Sequence, residues 1–131
     1  MPELPEVEVS RLGITPHVLN QTVTKVNIHN PSMRWPVPDD VYQLQGLKVT
    51  SVERRAKYLL LGCELGSVIL HLGMSGNLRV VSADEPLKKH DHIEFILASG
   101  KALRLNDARR FGACLWQAPG ECHPLLTKLG P

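Results

Sequence analysis

From residue 22 onward, short apolar stretches alternate with turn residues, and this rhythm limits the fold more than any other feature of the chain. Segments in which apolar and polar residues alternate read as half-buried strands. The pattern predicts strands over residues 22–29, 47–54, 57–64, 67–72, 77–81, 92–98, 101–105 and 111–117. Leu65-Gly66, Ser99-Gly100 and Gly73-Met74-Ser75-Gly76 supply turn chemistry between them. Many short strands at near-regular spacing predict an all-β sandwich or barrel. Two helical stretches stand outside this rhythm. Residues 4–19 read as a helix entered at Pro5, with apolar positions at Val7, Leu12, Ile14, Val18 and Leu19. Gly13 and Pro16 weaken its second half. Residues 39–44 read as a short helix, residues 30–38 are turn-rich, and residues 82–91 form the longest polar loop.

A chain of 131 residues suits one domain with its own core. No apolar run is long enough to span a membrane, and no secretory signal pattern opens the chain. Cys63, Cys114 and Cys122 are odd in number and lack framework spacing, which predicts free thiols in a reducing, cytoplasmic setting. The net charge is only +2, so local clustering of basic residues has to decide whether nucleic acid is a partner.

The opening Met1-Pro2-Glu3-Leu4-Pro5-Glu6 has two readings. Removal of Met1 leaves the secondary amine of Pro2 as the N-terminus. An N-terminal amine titrates near pH ~8, so a useful fraction is nucleophilic at neutral pH. Attack on a sugar C1′ gives a cationic iminium, an electron sink. Glu3 is placed to move protons. The same residues also read as a plain helix start, with proline in the first turn and acids at the positive end of the dipole.

Three internal segments carry the same double reading. Arg54-Arg55-Ala56-Lys57-Tyr58 is the densest basic cluster: a cationic strand end for phosphates, or a solvated turn. Gly73 and Gly76 flank Met74 in a tight tip, which serves as an apolar wedge between bases or folds back on the core. Asn106-Asp107-Ala108-Arg109-Arg110-Phe111-Gly112 sets a cation beside an aromatic, suited to a base edge and a stacked step, or to an ordinary β-turn. Lys88-Lys89-His90-Asp91-His92 suits phosphate. With Cys122-His123 it offers zinc-type side chains but no metal-site spacing, and no metal is assigned to the chain. Nucleotide-binding glycine patterns and a serine nucleophile elbow are absent from the sequence.

Taken in order, Met-Pro-Glu-Leu-Pro-Glu-Val-Glu, Arg-Arg-Ala-Lys-Tyr-Leu-Leu, His-Leu-Gly-Met-Ser-Gly and Asp-Ala-Arg-Arg-Phe-Gly are arranged as in one family. The chain resembles the N-terminal domain of the bacterial formamidopyrimidine-DNA glycosylases of the Fpg/Nei family, from Met1 to Pro131. The Met wedge with the Arg-x-Phe loop favours the branch acting on oxidised purines over the pyrimidine branch. The resemblance implies a mainly β fold with flanking α: a β-sandwich of antiparallel strands with an N-terminal helix. It implies excision of oxidised purines (8-oxoguanine, formamidopyrimidines) from double-stranded DNA and cleavage at abasic sites by β,δ-elimination. Pro2 then matches the nucleophile, Glu3 the acid/base and Lys57 a phosphate-contacting lysine that assists catalysis. Glu6 matches an acid near the damaged base. His71 and His90 match backbone-binding positions, and Met74, Arg109 and Phe111 the trio that fills the gap left by a flipped nucleotide.

The family's second half carries a helix–two-turn–helix module and a four-cysteine zinc finger. These 131 residues hold neither, so the expectation is an isolated catalytic domain, weak or inactive alone and needing no cofactor of its own. One zinc is expected in the missing half. The whole enzyme is expected to be a bacterial cytoplasmic monomer working at the nucleoid, and the fragment to self-associate through the surface its partner would cover. A damaged-DNA-binding β-domain without catalysis is the alternative.

Overall fold

The structure is a computed structural model that describes residues 4–30, 33, 36–72, 76–109 and 112–118, with residues 4–6 described in backbone alone. It opens with helix α1 (Leu4–Val18). Eight strands follow among the described residues: β1 (Val23–Ile28), β2 (Ser51–Arg55), β3 (Tyr58–Cys63), β4 (Gly66–His71), β5 (Asn77–Ser82), β6 (Asp91–Leu97), β7 (Lys101–Asn106) and β8 (Ala113–Gln117). A 3-10 helix, Asp39–Leu44, lies between β1 and β2. The strands form two antiparallel four-stranded sheets, ordered β1-β6-β7-β5 and β2-β3-β4-β8.

The main core lies between the sheets. The first contributes Val26, Ile93, Phe95, Leu103 and Leu105, and the second Leu59, Leu61, Val68, Leu70 and Cys114. Alternation along each strand puts these residues on one face, as the period of two requires. Helices close both open sides of the sandwich. Helix α1 packs across β2 and β3 of one sheet and β5 of the other, while the 3-10 helix packs on β1 and β8. Each of the four edge strands thus packs against a helix.

Helix α1 runs through Gly13 and Pro16 to Val18, beyond the point where they were expected to weaken it. It buries the narrow stripe Val7, Ile14 and Val18, whereas Leu12, expected on that stripe, is 56% exposed. The expected strand over residues 47–54 begins only at Ser51. Its first part bonds to the segment after α1 instead: Asn20 N–H donates to Val49 O, and Val49 N–H to Gln21 O. Val49 is fully buried there, so the alternation was real, but its partners are residues 20–23, which lead from α1 into the start of β1.

Candidate nucleic-acid interface

The register of the second sheet builds one end of the site. Tyr58 pairs with His71, and His71 with Ala113, so the tip of β2–β3, the end of β4 and the start of β8 share one row. Arg55 pairs with Tyr58, leaving Ala56-Lys57 as a two-residue hairpin turn. Ala56 adopts φ 52, a left-handed conformation unusual for alanine. Lys57 stands half-buried at that tip. Beyond His71, Gly76 N–H donates to Leu72 O at 2.8 Å. A Cβ at Gly76 would lie 2.0 Å from that same oxygen, so only glycine fits there.

The first sheet brings two more loops to the same end. Asn106 pairs with both Asp91 and Asn77. Hence the start of β6, the end of β7 and the start of β5 meet there, with His90 immediately before β6 and Arg109 shortly after β7. His90 has φ 73. Asp107 N–H donates to His90 O at 3.0 Å, and Asn106 Nδ2–H to Lys89 O at 2.9 Å. His92 Nε2–H donates to Asp107 O at 2.7 Å.

Two buried carboxylates anchor these loops. Asp91 accepts from Arg79 at 2.8 and 3.0 Å, from Asn106 Nδ2 at 2.9 Å and from Lys88 N–H at 2.8 Å. Burial opposes its charge, but these donors outweigh burial and hold the carboxyl well below the usual range. Asp107 accepts from Arg109 N–H at 3.2 Å on one oxygen and from Gly112 N–H at 2.7 Å on the other.

Helix α1 is tied to the Lys57 hairpin. Glu8 bridges Arg11 of the helix and Arg54 of β2, and Arg54 Nη1–H donates to Ala56 O at 3.0 Å. The Arg11 hydrogen bonds, aided by Arg54 and opposed by desolvation, hold the Glu8 carboxyl down to about 2. The part of α1 around Glu8 and Arg11 is thus anchored beside the hairpin that carries Lys57.

Of the side chains singled out from sequence, Lys57, His71, His90 and Arg109 come to one end of the sandwich. Arg109 is exposed. His71 differs: it is 4% exposed, with its ring 5.1 Å from that of Tyr58. Pro2, Glu3, Met74, Phe111 and the Glu6 side chain lie outside the described residues, as do Cys122 and His123. Among the described residues, no group of three or more His, Cys, Asp or Glu is placed to hold a metal ion. Asp91 and Asp107 stand in segments marked from sequence but with no role of their own, and Arg79 was not marked at all. Only Asp107 carried a local signal, as an Asx turn to the amide two residues on.

The matches to known proteins agree with this arrangement. Residues 1–114 match the family described as formamidopyrimidine-DNA glycosylase N-terminal domain. The chain belongs to that family. The formamidopyrimidine-DNA glycosylase of Photobacterium damsela subsp. piscicida is 60% identical over 131 residues, and that of Photobacterium profundum 56% over 131. Each match covers 100% of this chain and 49% of the relative, so the chain spans about half the length of these glycosylases. A solved complex between the LlFpg protein, a THF-DNA and an inhibitor superposes with a TM-score of 0.87 at 30% identity, covering 97% of this chain and 48% of that one. The complex of Lactococcus lactis Fpg with DNA containing an abasic site gives 0.87 at 28%, with the same coverage. The antiparallel two-sheet fold with its N-terminal helix is therefore the fold of the Fpg N-terminal domain.

Proposed function

We propose that the chain is the N-terminal catalytic domain, residues 1–131, of a base-excision repair enzyme: a DNA glycosylase with abasic-site lyase activity acting on oxidised purines in double-stranded DNA. The observation that carries the reading is the family match over residues 1–114. The gathering of Lys57, His90 and Arg109 at one end, beside the helix that follows Pro2-Glu3, supports it.

The chemistry follows from the groups assigned. A base inside a duplex hides C1′, so the nucleotide must leave the stack at a cost of about a few kcal/mol. Met74 and Phe111 would fill the gap and Arg109 would meet the base left behind. The Pro2 amine attacks C1′, and the C1′–N bond breaks as the base leaves with a proton. Glu3 protonates the ring oxygen, and the sugar opens to a Pro2 iminium. Loss of a C2′ proton into that sink expels the 3′ phosphate, and a second elimination expels the 5′ phosphate. Lys57 neutralises phosphate charge beside the lesion, while Glu6 faces the damaged base. The burial of His71 suits a support beneath the Lys57 hairpin better than a direct phosphate contact, whereas His90 suits the contact.

The partner half would supply the helix–two-turn–helix module and a four-cysteine zinc finger. Cys114 does not fit such a zinc site, since complete burial pushes its thiol up to about 12. No step here runs through zinc. Without that half the DNA clamp is incomplete, so the chain alone is expected to trap abasic DNA poorly. Borohydride trapping on an abasic duplex, with Met1 removal verified by mass spectrometry, tests both claims. Trapping abolished when the N-terminal amine is acetylated supports the nucleophile, and efficient trapping by the chain alone overturns the need for the second half. Binding of the abasic duplex without any trapping, with the Pro2 amine free and the second half present, would favour the non-catalytic damage-binding alternative.

A further inference from the structure

Asp107 sits where neither sheet needs it. Strand β7 ends at Asn106 and β8 begins at Ala113. Yet Asp107 is 0% exposed, and burying a carboxylate costs free energy unless its oxygens are satisfied. Its two side-chain oxygens meet the backbone at both ends of one loop, at Arg109 and at Gly112. Its main chain meets the other loop, with N–H donating to His90 O and its carbonyl accepting from His92. Gly112 fits closely against this clasp: a Cβ there would lie 2.9 Å from the Asp107 carboxylate and 2.4 Å from His71 O.

We infer that Asp107 is a positioning residue, clasping the Arg109 loop and tying it to the His90 loop so that both contacts meet DNA as one rigid unit. The inference rests on the DNA-binding reading proposed above and deepens it. An exposed arginine on a free loop loses conformational entropy on binding, and a loop already held loses less. Asp107 touches no DNA in this account. It acts through the backbone that carries Arg109 and through the carbonyl of His90.

Two substitutions break the clasp from opposite sides. Asp107→Asn keeps the volume but turns an amide NH2 toward one of the two backbone N–H donors. Gly112→Ala drives a methyl group against the His71 carbonyl and the Asp107 carboxylate, pushing the Gly112 amide off its acceptor. Amide hydrogen exchange on the chain without DNA reads the clasp directly. Both variants should speed exchange at the residue-109 and residue-112 amides roughly tenfold while β6 and β7 stay protected. Fluorescence anisotropy with a duplex bearing a tetrahydrofuran abasic analogue reads the consequence. Asp107→Asn should weaken binding roughly three- to tenfold, the scale of one hydrogen bond, and add little on top of Arg109→Ala. A merely structural role would not produce that non-additivity. Unchanged exchange overturns the clasp, and additive losses in the double variant overturn positioning. If Arg109→Ala binds as tightly as wild type, the DNA role of Arg109 fails and takes the positioning claim with it. The exchange result still shows whether the clasp exists, so the two failures are distinguishable.

Discussion

The outer faces of the two sheets are buried by different chemistry. On β2-β3-β4-β8 the outward side chains Tyr58, Leu60, Ile69, Ala113 and Leu115 form a second apolar cluster. On β1-β6-β7-β5 the corresponding layer is polar. Arg104 and Glu94, 1% and 4% exposed, pair at 2.8 Å. Arg104 also donates to the carbonyl oxygens of Ala83, Glu85 and Pro86, which belong to the loop before β6. Asn27 and His29 complete the Glu94 carboxylate. Apolar burial is non-directional and tolerates sliding. A guanidinium with fixed donor directions does not. The polar face therefore holds the loop that carries Lys88, Lys89 and His90 in one place, whereas the apolar face stabilises without specifying a loop position.

Removing Arg104 should have the largest effect. Arg104→Ala leaves Glu94 buried without its cation and frees three carbonyls, with an expected loss of about 3–5 kcal/mol in denaturant melts. Its loop, residues 83–90, should lose exchange protection at the same time. Ile69→Ala on the apolar face should cost about 2–4 kcal/mol through the cavity it leaves. It should leave the 83–90 loop as protected as before. Equal loop exposure in both variants would erase the proposed contrast between the faces.

Acid should act mainly through the polar side. Burial opposes the charge of both Asp91 and Glu94, yet their hydrogen-bonded partners prevail and both carboxyls lie below their ordinary values of 3.8 and 4.5. Unfolding then takes up protons, so this stability is complete above the unfolded values and fades as pH falls through them toward the folded ones. Melting temperature should begin to fall near pH 4.5 and drop most steeply below about pH 4, as these carboxyls pass their unfolded values. Asp91→Asn should flatten the slope, and a slope unchanged by it would remove Asp91 from the account. Glu8 should add little, since solvent screens its pairs.

The smallest expected effect concerns the Lys57 hairpin. Ala56→Gly should relieve the left-handed strain and raise stability by about 0.5–1 kcal/mol. A loss of stability instead would mean that the turn is not strained.

Much of the sandwich was legible because its signals are local. The alternation from Lys101 to Leu105 and the Ser99-Gly100 turn before it belong to neighbouring residues, and the strand appears as Lys101–Asn106. The strand expected from residue 47 failed at its start because alternation records burial, not the identity of a partner. Leu12 failed because helical periodicity marks an apolar residue without saying which side the sandwich will cover. The end that gathers Lys57, His90 and Arg109 was legible only as separate motifs.

The sequence alone determined the turn residues, the alternating strands and the family motifs, since each is written in a few consecutive positions. Only the tertiary structure decided that Tyr58, His71 and Ala113 share a row, that Arg104 finds Glu94, and that Asp107 joins the Arg109 loop to the His90 loop. These depend on pairing register and on directional hydrogen bonds between distant residues. Such contacts leave no periodic trace in the chain, because a charged residue on a strand looks the same whether it meets water or a buried partner.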